Sequence, residues 1–422
     1  MPHVYLSPAA RFAGAALFLF ALGCGTSLPS DPTAQSSSSP LTTAPRASSD
    51  GSAASVAPSQ PVARGALFGP LASVALGGAN LCVAEADGTV RCVGDWPIPM
   101  GDNGVRNQGL RVPVAVERLP IPSVLALTQD RGCAIAARGA VWCWGNTTPR
   151  PQGWTGAPQG RLEAEPVDGV DGALELALGW SGSCALVSGG KVRCWGPTFS
   201  PSLGKGPVPP PRTLDLQGVT HLSGQKQHAC ATLQDGTVAC WGHDTMADRQ
   251  RLASGEERVV RVPDLSNVVT VTAGDAHDCA LTRDREVVCW GQNGSGQLGD
   301  GSFEARERPV KVAGLAGVTQ VAAGHGFTCA LTEGGGVSCW GDAGNCVVGA
   351  ARIGCETRTL GSTMGPVEVE LCPKPQPITL PFAATSIAVG SGTGCARDVQ
   401  GHVACWGRSL THDPGGCAAR AL

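Results

Sequence analysis

Hydrophobic and polar positions in this chain recur at a nearly fixed interval. Seven segments share one pattern: CVAEADGTVRCVG from Cys82, CAIAARGAVWCWG from Cys133, CALVSGGKVRCWG from Cys184, CATLQDGTVACWG from Cys230, CALTRDREVVCWG from Cys279, CALTEGGGVSCWG from Cys329 and CARDVQGHVACWG from Cys395. Their second cysteines are Cys92, Cys143, Cys194, Cys240, Cys289, Cys339 and Cys405. Each copy places Val two residues before the second Cys and Gly two after it. Six copies carry Gly at the sixth step, where the exception is Arg285, and six carry Trp after the second Cys, where the exception is Val93.

One copy reads as a β-hairpin. With Cys230 opposite Cys240, Leu233 faces Thr237 and Gln234-Asp235-Gly236 forms the loop. A three-residue loop needs one left-handed position, which Gly supplies without a Cβ clash. Directly opposed cysteines in a non-hydrogen-bonded pair are close enough for a disulfide. Metal binding is the other reading of paired cysteines, but zinc sites favour closer ligand spacing, so disulfides are expected.

Upstream of the first Cys lies a short apolar run closing on Gly, as in Val271-Thr272-Ala273-Gly274, which reads as another strand. Pro309-Val310-Lys311-Val312 typifies a fourth. The copies start 51, 51, 46, 49, 50 and 66 residues apart. Four strands per unit, repeated seven times, predict an all-β, seven-bladed propeller of four-stranded blades over residues 61–422. The last copy stops soon after Trp406-Gly407, so Pro61-Val62-Ala63 is expected to close the ring as the missing strand of blade seven.

The N-terminus differs. Phe12 to Leu22 is an apolar run behind Arg11, too short to span a bilayer and right for an export signal. It ends in Ala21-Leu22-Gly23-Cys24, which resembles a bacterial lipobox. Residues 1–24 are therefore read as a lipoprotein signal with Cys24 lipidated, the other reading being an ordinary cleaved signal. Residues 25–60, rich in Ser, Pro and Ala, read as a disordered tether. The expected location is the bacterial outer membrane or cell envelope, with the propeller outside the cytoplasm.

The repeats resemble the regulator of chromosome condensation repeat family. The fullest match is Ala273-Gly274, His277, Cys279-Ala280-Leu281-Thr282, Cys289-Trp290-Gly291-Gln292-Asn293 and Gly296-Gln297-Leu298-Gly299-Asp300-Gly301. The resemblance covers residues 61–422 and implies a seven-bladed propeller. Paired cysteines depart from the intracellular members and resemble secreted bacterial relatives. The family's founding activity is guanine-nucleotide exchange on a small GTPase, together with chromatin binding, and it rests on loops with no residue-by-residue match here. A secreted relative that inhibits β-lactamases through loops on one face makes protein binding the closer precedent.

Composition narrows the chemistry. A net charge of −3 over 422 residues argues against a nucleic-acid partner, which needs a basic surface. The sole tyrosine, Tyr5, lies in the signal, so the tyrosine nucleophile of sialidase-like propellers is unavailable. Gly294-Ser295-Gly296-Gln297-Leu298-Gly299 fits a dinucleotide fingerprint but leaves a strand without opening a helix. Ser188-Gly189-Gly190-Lys191 and Ser223-Gly224-Gln225-Lys226 fit S-x-x-K without companion motifs. His228 and His277 each precede a first cysteine by two, which reads as core rather than ligand. No catalytic residue, metal or cofactor is expected.

Trp144, Trp195, Trp241, Trp290, Trp340 and Trp406 hold one repeat position and are expected to fill blade interfaces. Trp154 and Trp180 fall outside it and are the candidate partner-binding residues. The interval from Cys339 to Cys395 is 56 residues against 36 to 41 in the other copies. It carries Cys346, Cys355 and Cys372, which with Cys417 allow two further disulfides in three connectivities. A stapled loop is pre-organised for binding. The expectation is a non-enzymatic, tethered, monomeric propeller that binds another protein through its loops and meets membrane only through its lipid. A carbohydrate or cell-wall module is the alternative, and an exchange-factor-like regulator follows from family analogy alone.

Overall fold

The computed structural model describes residues 71–421 except 79, 100–104, 130, 146–161, 180–181, 197–209, 227, 243–258, 345–347, 350–351, 363–364 and 408–418. These lie in one compact unit, Arg64–Leu422. The segments read from sequence as signal, lipidation site and tether fall outside the described residues, as do residues 61–63. Among the described residues no helix is long and apolar enough to cross a membrane.

Seven antiparallel sheets follow one another along the chain as the blades of a propeller. Blade 5 is representative, with Val268–Ala273, His277–Thr282, Val287–Gly291 and Arg306–Lys311 running from the inner to the outer strand. The hairpin register is the same throughout: Cys230 faces Cys240, Cys279 faces Cys289, and Leu233 N–H donates to Thr237 O. The seven repeat pairs are disulfide-bonded, with Cα–Cα distances of 4.0 to 4.1 Å. The loop Gly takes positive φ in six blades, and Arg285 adopts φ 60° in the seventh.

The core lies between blades rather than within them. Each interface holds one apolar cluster, and six of these carry the repeat Trp of the following blade. The cluster joining blade 7 to blade 1 has Val93 instead, beside Leu76, Leu81 and Cys395, so the ring closes where the repeat lost its indole. Trp144, Trp241, Trp340 and Trp406 are wholly buried. The indoles of Trp144 and Trp406 lie over Gly132 and Gly394, where an added Cβ would come within 2.3 Å of the ring.

Three features depart from four even strands. Blade 1 prolongs its third and fourth strands, Val90–Pro99 and Val105–Glu117, and gains Leu162–Glu163 in parallel. Blade 6 prolongs its fourth, Gly365–Ile378, which pairs outward with Glu356–Ser362. In blade 7 the fourth place is taken by Arg420–Ala421, because the chain beyond Gly407 is long enough to turn back along Ala404–Cys405. The place assigned from sequence to Pro61–Ala63 is thus filled from the C-terminal end.

Candidate functional site

Antiparallel blades sort the connections between two faces. The hairpins within each cysteine repeat and the links to the next blade share one face, and both are short. The opposite face carries the turns from inner to second strand and the strand ends that the third-to-fourth connections join, and it is between those ends that chain length varies. Gly291 pairs with both His277 and Arg306, fixing the two kinds of connection at the same end of blade 5.

At the centre of this loop-bearing face the seven inner turns abut in a ring. Asp275 N–H donates to Gly324 O at 3.3 Å, Ser391 N–H to Gly78 O at 3.0 Å, and Asn80 Nδ2 to Gln129 O at 2.6 Å. The turns approach so closely that a Cβ at Gly179 would lie 2.5 Å from Lys226 O, and one at Gly324 2.6 Å from Gly390 O. Blades 2 and 3 are joined by Arg131 Nη1 donating to Ser183 Oγ at 3.1 Å.

Blades 4, 5 and 6 contribute charge to the ring. The Asp275 carboxylate, nearly buried, lies 2.5 Å from Lys226 Nζ and also pairs with His325 Nδ1. Partial burial, and then the Lys226 ammonium, hold the His325 pKa below its ordinary value, while Asp342 opposes them. The His325 ring stays about half exposed. Sequence reasoning passed over Asp275 and His325 and met Lys226 only as the last residue of an S-x-x-K match. Their signal was positional: Asp275 and His325 follow the inner-strand Gly, in the slot that Gly78, Trp180 and Ser391 hold elsewhere.

The blade 6 elaboration rises from the same face. Glu356–Ser362 and Gly365–Leu371 form a hairpin stapled at its base by Cys355–Cys372. Arg352 pairs with Glu370, and the Gln376 amide holds Ile353 N and O at 2.7 and 2.9 Å. Arg358 stacks over Phe303 of the blade 5 loop, 4.3 Å from the ring centroid. Cys346, Cys417, Trp154 and Trp180 lie outside the described residues.

The motifs suspected of chemistry are absorbed by packing. Gln297 O, inside Gly294–Gly299, accepts from Trp340 Nε1 at 2.9 Å and Thr328 Oγ1 at 3.0 Å. Ser223 Oγ accepts Ala273 N–H, and Ser188 Oγ donates to Gly172 O. His228 Nε2 donates to Asp278 Oδ1 at 2.8 Å, and His277 Nε2 to Thr328 Oγ1 at 2.8 Å, both inside blade interfaces. Burial lowers the His277 pKa to about 4, so its ring is neutral.

Comparison with known proteins agrees with this architecture. Residues 286–331 match the regulator of chromosome condensation (RCC1) repeat, and residues 268–297 and 318–346 match a second description of the same repeat. The chain carries RCC1 repeats within a seven-bladed propeller. No curated protein matches it by sequence. Among solved structures it is similar to Prp20p from Saccharomyces cerevisiae, with a TM-score of 0.61 and 21% identity over 77% of this chain and 82% of that one. Human WBSCR16 is similar with a TM-score of 0.58 and 19% identity, over 76% and 86% of the two chains. The eight disulfides among the described residues point to an oxidising environment.

Proposed function

We propose that this RCC1-repeat propeller is a non-enzymatic scaffold that binds another protein through its loop-bearing face, carried outside the cytoplasm on a lipid-anchored tether at Cys24. The observation that carries the reading is the sorting of faces. The strand ends joined by the longer connections, the stapled hairpin of blade 6 and the Lys226–Asp275–His325 cluster share one end of the ring. The opposite end is short hairpins and short links between blades, with surface ion pairs such as Arg308–Asp264 joining a link to a neighbouring strand. Prp20p, which shares the fold, is described with binding properties to Gsp1p and histones, and a propeller that presents loops from one face is suited to such work.

Photo-crosslinking residues placed singly at Arg358 and His325, and as controls at Asp235 and Asp264, test this in the exporting cell. A protein captured from the first two positions and not from the controls is the expected result. Equal capture from both faces would overturn the choice of face. Retention on glycan without protein capture at any position would move the reading to a carbohydrate-binding module.

A further inference from the structure

The outer edge of blade 6 is unlike the other blade edges among the described residues. A sheet edge offers unpaired N–H and C=O groups, and folds protect it by shortness or by proline. The outer strands of blades 2, 3, 4 and 7 are two residues long: Glu165–Pro166, Arg212–Thr213, Val260–Arg261 and Arg420–Ala421. In blade 1 the long strand Val105–Glu117 contains Pro113 and ends against Leu162–Glu163, and in blade 5 Arg306–Lys311 contains Pro309. Glu356–Ser362 closes blade 6 with seven residues and no proline. Glu356, Thr357, Arg358 and Thr359 are all exposed, and no described strand pairs with them on the outer side.

The staple shows which groups point outward. Cys355 and Cys372 continue the register Glu356↔Leu371, and their Cα atoms are 4.2 Å apart, the spacing of a non-hydrogen-bonded antiparallel pair. Pair types alternate along a ladder, so Thr357–Glu370, Thr359–Glu368 and Gly361–Pro366 are of the same type. Thr357, Thr359 and Gly361 therefore aim N–H and C=O away from the hairpin. They form a row of three donors and three acceptors.

We propose that this edge receives an extended, basic segment of the partner protein as an added strand. The inference rests on the scaffold reading above and names how that partner is held. Charge selects the segment. Arg352 pairs with Glu370 and Arg358 lies over Phe303, which leaves the exposed carboxylates of Glu356 and Glu368 without an ion-pair partner among the described residues. Glu368 shares a face with Thr359, and Glu356 lies on the opposite face. A strand added outside Thr359 stands roughly 10 Å from Glu368, two strand spacings, a gap that a lysine and a glutamate side chain span together over the small threonine. The fitting segment thus carries basic residues beside Glu356 and Thr359, three positions apart and on opposite faces.

The probe is a fluorescent, end-blocked peptide of threonine and valine with lysines three positions apart, added to the oxidised chain. A second peptide carries glutamates in place of the lysines. The lysine peptide is expected at saturation to slow amide exchange of Thr357, Thr359 and Gly361 by about tenfold or more and to leave Arg306–Lys311 unchanged. Thr359→Pro removes an outward N–H and no hydrogen bond inside the hairpin, and is expected to weaken peptide binding about tenfold. Thr359→Val, which keeps that N–H, is expected to bind as the wild type does. Equal binding of the glutamate peptide, binding unaltered in Thr359→Pro, or no slowing of the three amides would each overturn the proposal. Self-association abolished by Thr359→Pro would overturn it too, by making a second copy the occupant. Capture through Arg358 and His325 in the cell that persists in Thr359→Pro would overturn strand addition and leave the scaffold reading standing. Absence of capture from the wild type, with the lysine peptide still bound, would remove the scaffold reading and keep the edge as a peptide site.

Discussion

His228 Nε2 stands 2.8 Å from Asp278 Oδ1, and the two residues belong to neighbouring blades fifty positions apart. The contact is one instance of a rule. The residue two before the first Cys of a blade meets the residue one before the first Cys of the next. Arg131 meets Ser183 and His277 meets Thr328 by the same geometry. At these three junctions the pairing specifies which blade stands beside which, since a buried polar group needs a partner.

Removing one member of such a pair strands the other in the core. Asp278→Ala is expected to lower unfolding stability by about 3–5 kcal/mol, and Asp278→Asn by less, because the amide oxygen can still accept from His228. Denaturant midpoints of the oxidised protein measure both. A loss below about 1 kcal/mol in the alanine variant would show that the pair contributes little to joining the blades.

His277 gives the fold an acid limit. Its folded pKa of about 4 lies below the ordinary 6.5, first because burial penalises the charge. Its Nδ1 has no hydrogen-bond partner among the described residues, so protonation there would bury an unmatched N–H. Below pH 6.5 the unfolded chain takes up a proton that the folded chain refuses. Stability therefore falls between about pH 6.5 and 4 and levels off below, by an amount on the order of 3 kcal/mol. The His325 shift has the same sign. That of His221, raised by its hydrogen bond to Glu175, has the opposite one, giving stability that is lost as pH rises through the raised pKa. The difference between wild type and His277→Gln across this window isolates the one group. Parallel curves would sink the assignment.

The sequence disclosed most of what lies within ten residues. Hairpin register, disulfide-competent pairing and the left-handed loop slot all follow from Cys230 to Cys240 read by itself. The interface Trp follows from its constancy, and even the Val93 exception marks a distinct interface. What was not legible depends on partners about fifty residues away or on strands too short to carry a pattern. Arg420–Ala421 shows no alternation in two residues, yet it fills the outer place of blade 7. Lys226, Asp275 and His325 form a cluster only once three blades stand side by side.

Arg285 is the one non-glycine in the loop slot, at φ 60°. A left-handed non-glycine costs about 1–2 kcal/mol. Its exposed ion pair with Glu333 offsets between 0 and about 1 kcal/mol of that. Arg285→Gly is therefore expected to stabilise the chain by about 0.5–1 kcal/mol. The converse change, Gly236→Ala, forces a side chain into φ 76° and within 2.9 Å of Asn267 N, and is expected to destabilise. Thermal melts of the two variants moving the same way would refute the shared slot.

The stapled hairpin makes the remaining prediction, because its stability is separable from that of the ring. Glu356–Ser362 pairs only with Gly365–Leu371, the outward extension of the fourth strand of blade 6, and Cys355–Cys372 ties its base. A bridge across this span contributes at most about 3 kcal/mol in the chain-entropy model. Replacing both cysteines by serine is therefore expected to raise amide exchange in residues 356–371 while leaving Thr393–Arg397 and Val403–Gly407 protected. Capture through Arg358 should fall with it, since a loose hairpin must be ordered again on binding. Undiminished capture with raised exchange would place the partner on the other loops of the face. Exchange raised equally in blade 7 would show instead that the bridge supports the ring itself.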